Sequence, residues 1–425
     1  MSSSTQVPKD SAAVAFLRQL VAAQTQGEPA VQGLIAERLQ QAGCEIQQLE
    51  YDPAEVPVVG EFAADNARAT ERRTAVVGTL SGDPEKRSLL MFAHPDAEPL
   101  QQNHGWEYDP FAGTIVDNRM YGWGIADDLA GCAAAVLAIE QAAQSGVDLG
   151  SVSFASTPSK RYARGVAALL HHDLDADGSL YLHPAESGVG MQEIKALASG
   201  QLEFRISVKG CLPDTTEPGH TAFSHLASNP IDKAMLIISA LQTLANERAE
   251  RVHHPRLHEA VSRSTNLQVS SIRCGEMRSF SRLHELCEFG GAISFPPGET
   301  FASVQAEFEA VLQGCVEQDD WLSENPPTLE WLTGVTGAEV EENHPLYQVT
   351  SKAVRRVTKL EPWVNAMHTS SDIRNPPVEK GIPCVGLGCL CGDLTQNDKV
   401  NEWVDVEDYL RMVDVTAAVA IDWCR

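Results

Sequence analysis

The hydrophobic period of this chain changes near Gly200, and that change constrains the fold more than any other feature. Before it, apolar residues come in short unbroken runs: Thr74–Leu80, Ser88–Ala93 and Val152–Ala155. Strands buried on both faces read this way, as in a largely parallel sheet covered by helices. The first two runs, joined by the turn Ser81-Gly82-Asp83-Pro84, are expected to be neighbouring strands. Helical spacing precedes them: Val14, Leu17, Leu20 and Val21, then Val31, Leu34, Ile35 and Leu39. Gln26-Gly27-Glu28-Pro29 separates these two helices, and Gly43 ends the second. An Ala-rich helix is expected over Asp128–Gln144. After Gly200, the stretch Leu202-Glu-Phe-Arg-Ile-Ser-Val-Lys209 alternates with period two, as an antiparallel strand with one wet face does. Helices over Pro230–Ala249 and Thr300–Cys315 flank a strand at Leu267–Arg273. From Pro326–Trp331 the first style returns, with a helix and strand beginning in His344–Leu360 and a closing helix over Val406–Trp423. The chain reads as an α/β domain (1–199 and 334–425) with a mostly parallel mixed sheet flanked by helices, carrying an inserted α+β domain (200–333).

Charge narrows the partners. Against 32 Lys+Arg stand 58 Asp+Glu, a formal net charge of −26. Nucleic acid and anionic membrane surfaces need clustered cations, so neither is expected to bind. No run approaches the ~20 apolar residues that span a bilayer. The segment Met1-Ser2-Ser3-Ser4-Thr5-Gln6 lacks the basic-then-apolar order of a signal peptide, so a cytoplasmic protein is expected. Ten cysteines are then thiols by default. Cys384, Cys389 and Cys391 cluster in a buried strand and Gly-rich loop, and no second Cys pair completes a tetrahedral metal set.

Two motifs carry chemistry. The strand Ser88–Ala93 ends in His94-Pro95-Asp96, and the C-terminal ends of parallel strands are where such sheets place ligands. An acidic residue two positions on can hydrogen-bond the second imidazole nitrogen, the usual support of a metal-bound His. A surface-loop His fits the triplet equally well. About thirty residues later, Tyr121-Gly-Trp-Gly-Ile-Ala-Asp127-Asp128 opens the Ala-rich helix and presents Asp127 beside backbone amides. A tight turn or an N-cap is the plainer reading of that loop alone.

Taken together, these motifs resemble the co-catalytic zinc hydrolases that include aminoacylases, glutamate carboxypeptidases and succinyl-diaminopimelate desuccinylase. Further matches are Leu182-His-Pro-Ala-Glu186-Ser, the stretch Gly219-His220-Thr-Ala-Phe-Ser-His225-Leu-Ala-Ser-Asn229-Pro, Thr369-Ser-Ser-Asp372-Ile-Arg374, and Lys399-Val-Asn-Glu402. The resemblance implies a metal-binding domain with an inserted lid that pairs two subunits into a homodimer, with higher homo-oligomers left open. It places one metal on His94, Asp127 and Glu186. Its second metal uses an adjacent Glu-Glu pair and a C-terminal His, which fall here on Ser159-Lys160 and Asp398.

Those departures imply an altered site. An ammonium at Lys160 would stand where the second ion belongs, with Asp398 placed to pair with it or to serve as a further ligand. One divalent ion per subunit is therefore expected, Mn, Zn or Fe by its donors. The family's general base is the Glu replaced by Ser159, which cannot accept a proton at neutral pH. Expected catalytic residues are Asp96, Ser159, Lys160 and His220, the last reaching across the dimer to the substrate carbonyl. Arg374 would hold a substrate carboxylate, although a surface salt bridge fits it nearly as well. The expected reaction is hydrolysis of a C–N bond in a small carboxylate-bearing molecule, best an aromatic amine activated by a nitro group. A conventional amidase or aminoacylase, and a non-catalytic binding subunit, remain as alternatives.

Overall fold

In a computed structural model, residues 11–425 are described apart from 66–68, 98–99, 101–104, 186, 277, 279, 368, 370 and 393–398. Both domain styles appear. A nine-stranded mixed sheet runs in the order Glu45–Tyr51, Arg73–Leu80, Val152–Ser156, Leu89–Ala93, Gly178–Leu182, Cys384–Leu387, Glu193–Ala198 and Ala338–Glu339, with Trp363–Met367 also pairing Glu193–Ala198. Its centre is parallel: Leu89–Ala93 pairs with both Val152–Ser156 and Gly178–Leu182 in that sense. The expected adjacency of Arg73–Leu80 and Leu89–Ala93 is corrected. Val152–Ser156 lies between them, antiparallel to the first and parallel to the second. Every residue of Leu89–Ala93 is buried, so this strand needs partners on both edges and cover on both faces.

The cover on one face is the helix Ala130–Gln144, in which eleven residues from Ala130 to Ala142 are buried. Its alanines and Gly131 let it sit close to the sheet. A Cβ on Gly131 would meet the carbonyl oxygen of Leu182 at 2.0 Å. The closing helix Val406–Cys424 packs on it from outside.

The second sheet holds five antiparallel strands: Asn266–Cys274, Leu286–Phe295, Gly200–Lys209, Thr328–Val335 and Glu61–Ala63. Leu202, Phe204, Ile206 and Val208 point inward, as the alternation requires, and Phe204, Ile206 and Val208 meet the helices Pro230–Arg251 and Phe301–Gln318. Each such side chain contributes about 1.5–3 kcal/mol by leaving water. The edge strand Glu61–Ala63 comes from the N-terminal part of the chain, pairing Ala63 with Thr333. The second sheet is thus joined by a strand that precedes the first sheet's Arg73–Leu80 in the chain. Among the described residues, no helix is long and apolar enough to cross a membrane. Cys384, Cys389 and Cys391 are buried free thiols, and burial pushes Cys384 up to about 12.

Candidate active site

Two neighbouring parallel strands, Leu89–Ala93 and Gly178–Leu182, end at the same edge, and each is followed at once by a His-Pro pair, His94-Pro95 and His183-Pro184. The loop entering the Ala130–Gln144 helix reaches the same edge and brings Asp127 and Asp128, joined by a cis peptide bond. One donor atom from each of His94, Asp127, Asp128 and His183 lies within 4.8 Å of the others.

The orientation of each ring follows from its neighbours. His94 Nδ1 lies 2.8 Å from the carbonyl oxygen of Asp96. A carbonyl only accepts, so Nδ1 carries the proton. This leaves Nε2 facing Asp127 Oδ1 at 2.7 Å and Asp128 Oδ2 at 3.0 Å. His183 Nδ1 is 2.7 Å from Asp128 Oδ1 and 3.4 Å from Asp127 Oδ1. Its ring stacks on Tyr181, which stacks in turn on Phe92 across the strand pair.

Protons and a cation compete for this cluster. Burial lowers the pKa of His94, but Asp128 and Asp127 outweigh it and bring it up to about 9. Asp128 and Asp127 raise His183 likewise, against burial and Lys195. Asp127 is held well below the usual carboxylate range, despite burial, by His94, Lys160 and His183. Burial pushes Asp128 the other way. Asp127 Oδ1 is buried and, although 2.7 Å from His94 Nε2, makes no hydrogen bond of acceptable geometry. A buried carboxylate oxygen in that state is costly. Two imidazoles and two carboxylates around it are a donor set that suits Zn²⁺, Mn²⁺ or Fe²⁺.

The other oxygen of Asp127 is engaged differently. Lys160 Nζ donates to Asp127 Oδ2 at 2.7 Å. The loop carrying Lys160 is clamped by Asp96, whose carboxylate accepts the amides of Ser159 at 3.0 Å and Lys160 at 3.1 Å, and Arg73 at 2.9 Å. The support expected of the Asp96 carboxylate on His94 is therefore made by its backbone carbonyl, while the carboxylate oxygen stays 3.6 Å from Nδ1. Ser159 Oγ donates to Asp372 Oδ2.

Glu402 braces the Asp127 loop from beneath. It is fully buried, and its carboxylate accepts the amides of Gly124 at 3.0 Å, Ala126 at 2.7 Å and Asp127 at 3.3 Å. Three backbone donors on one carboxylate hold the turn that aims Asp127.

A cleft of about 530 Å³ opens over these residues, lined among others by His94, Asp127, Ser159, Lys160, His183 and Asp372. Arg374 is in its wall but is no surface ion pair. It is 2% exposed, with Nε on the Thr336 carbonyl at 2.9 Å and Nη2 on the carbonyls of Val59 at 2.7 Å and Gly60 at 3.0 Å. His220 does not line the cleft of its own chain. It caps the short helix Thr221–Leu226, with Nδ1 accepting the Ala222 amide at 3.1 Å. Glu186 and Asp398 lie outside the described residues. Sequence reasoning passed over Asp128, His183 and Glu402 as site residues. A signal for His183 was present: it repeats the strand–His–Pro pattern of His94 in the adjacent strand.

A model of peptidase family M20/M25/M40 matches residues 90–422. The N-formyl-4-amino-5-aminomethyl-2-methylpyrimidine deformylase of Bacillus subtilis (strain 168) is 22% identical over 97% of this chain and 94% of its own length. The succinyl-diaminopimelate desuccinylase of Gluconobacter oxydans (strain 621H) is 27% identical over 94% and 95%. Among solved structures, the M20 family metallo-carboxypeptidase Sso-CP2 from Sulfolobus solfataricus aligns with a TM-score of 0.71 at 14% identity, covering 97% of this chain and 99% of that one. Human carnosine dipeptidase 1 aligns at 0.65 and 15% identity, covering 97% and 95%.

Proposed function

This chain belongs to peptidase family M20/M25/M40, and from that premise we propose that it is a single-metal hydrolase of a C–N bond in a small carboxylate-bearing substrate. The reaction proposed is deamination of an electron-poor aromatic amine, 5-nitroanthranilate plus water giving 5-nitrosalicylate plus ammonia. The observation that carries the single-metal reading is Lys160 Nζ at 2.7 Å from Asp127 Oδ2. A carboxylate that would bridge two cations has one oxygen among imidazoles and the other on a fixed ammonium. A second dication beside that ammonium is opposed by charge.

His94, Asp127, Asp128 and His183 would hold the ion, and Glu186 remains a candidate ligand. A divalent cation supplies positive charge that lowers the pKa of water towards about 7. The chain's own residues do the rest. Glu402 and the Asp96 carbonyl orient Asp127 and His94, and Lys160 neutralises the charge of Asp127 facing the cleft. Ser159 Oγ donates a hydrogen bond to Asp372 and cannot serve as a base, so an already electrophilic ring carbon fits the site better than an unactivated amide. The names of the two curated relatives, a desuccinylase and a deformylase, favour a second reading, hydrolysis of an N-acyl group.

The active unit proposed is a homodimer through the lid, with His220 delivered to the partner's cleft. Its support is apolar exposure on the lid: Met235 and Ile231 on the Pro230–Arg251 helix, and Ile272 on the edge strand Asn266–Cys274.

Elemental analysis combined with an assay of 5-nitroanthranilate against N-succinyl and N-formyl amines tests the reading. One ion per chain with release of ammonia and 5-nitrosalicylate is expected. Two tightly bound ions with turnover of the acyl amines would replace it by the amidase reading. No bound ion and no turnover would point to a binding subunit.

A further inference from the structure

Four lysine and arginine side chains line the cleft, and three of them are already engaged. Lys160 is on Asp127 at 2.7 Å. Arg164 is on Glu61 at 2.7 Å and on the Pro53 carbonyl at 3.1 Å. Arg374 is spent on the carbonyls of Val59, Gly60 and Thr336. The fourth, Arg161, is exposed, and among the described residues its guanidinium has no ion pair or hydrogen bond.

Its placement is built rather than loose. Arg161, Tyr162 and Arg164 have φ of 54°, 55° and 59°, a left-handed conformation that non-glycine residues seldom adopt. Such residues persist where surrounding contacts over-determine them, and they gather at functional sites. The contacts are visible. Asp96 takes the amides of Ser159 and Lys160, the Arg161 carbonyl accepts the Ala69 amide at 2.7 Å, and the Ala163 carbonyl accepts the Tyr51 hydroxyl at 2.8 Å. At the loop's end, a Cβ on Gly165 would meet the Pro158 carbonyl oxygen at 2.7 Å, so the return is tight as well.

We propose that Arg161 is the specificity residue that receives the carboxylate of the substrate, and that Arg374 is a structural arginine in the cleft wall. The assignment deepens the proposed function and rests on its carboxylate-bearing substrate. A planar fork of donors suits a carboxylate in two-point contact. Arg161 lines the same cleft as His94, Asp127 and His183, so a carboxylate held there shares that cleft with the candidate metal site. A small aromatic acid with its amine ortho to the carboxyl can reach both.

Calorimetric titration of the metal-loaded protein with 2-aminobenzoate and with its neutral isostere 2-aminobenzamide tests this apart from turnover. Arg161→Asn is the variant of choice, because asparagine tolerates the left-handed backbone. It is expected to weaken 2-aminobenzoate by roughly ten- to one-hundred-fold and leave 2-aminobenzamide unchanged, with Arg161→Lys in between. Unchanged affinity for 2-aminobenzoate in Arg161→Asn would overturn the assignment and leave the proposed function standing. Equal affinity of the unaltered protein for the two ligands would instead remove the carboxylate-bearing substrate class, and this assignment with it.

Discussion

Replacing Lys160 by methionine should weaken the metal-free protein and at the same time tighten its hold on a divalent cation. The two charges are 2.7 Å apart, with side-chain exposures of 17% and 8%. At an effective dielectric of about 20, unit charges about 4 Å apart attract by about 4 kcal/mol. Removing one partner of a buried pair costs about 3–5 kcal/mol, because the other charge is stranded. His94 and His183 also face Asp127, so the lower end applies, about 3 kcal/mol. For a domain of this size that is a fall in Tm of about 5–10 °C. Methionine keeps the unbranched length, so packing is little disturbed. The same change removes a positive charge from the edge of the metal cluster, and an affinity gain of at least about tenfold for Mn²⁺ is expected, equal to about 1.4 kcal/mol. Differential scanning fluorimetry of chelator-treated and Mn²⁺-titrated protein, with calorimetry for the affinity, reads both effects. If metal affinity falls together with stability, the ammonium supports the metal site instead of opposing a second ion, and the reasoning fails.

Four further outcomes follow from the structure. The pKa of His94 is raised to about 9, so at pH 7 loading a cation must displace its proton; Mn²⁺ affinity should rise with pH and level off above about 9, with proton uptake by buffers of different ionisation enthalpy as the check. The same shift stabilises the metal-free fold below the ordinary His value of 6.5, and that contribution should be lost as pH rises through about 9. Glu402→Gln leaves the Gly124, Ala126 and Asp127 amides poorly satisfied, and should cost about 10–100-fold in metal affinity while far-UV circular dichroism stays unchanged. Ile272→Glu on the exposed lid edge should give a monomer by light scattering and lower activity to the level of His220→Ala; a fully active monomer would refute delivery of His220 in trans.

The strand–His94 motif, the Asp127 loop, the Ala-rich helix and the change of style near Gly200 were all legible, because each is a local pattern of side-chain period and punctuation. Strand order was less so. The short turn between Leu80 and Leu89 suggests neighbouring strands, yet Val152–Ser156 enters between the two, since a fully apolar strand is best buried with partners on both sides. A surface pair fits Arg374 in the sequence, and its burial among the carbonyls of Val59 and Gly60 rules that alternative out.

By itself, the amino-acid sequence determined the elements, the two domain styles and the residue types on which the single-metal proposal rests, Ser159 and Lys160. Those follow from period, turn chemistry and residue type, which act over a few neighbours. Only the tertiary structure decided which groups meet. Glu402 reaches the amides of Gly124 to Asp127 across more than 270 residues, and His183 joins His94 because their strands are neighbours in the sheet. The ammonium of Lys160 finds one oxygen of Asp127 while two imidazoles face the other. Such encounters depend on strand order and loop clamping, and no local pattern contains them.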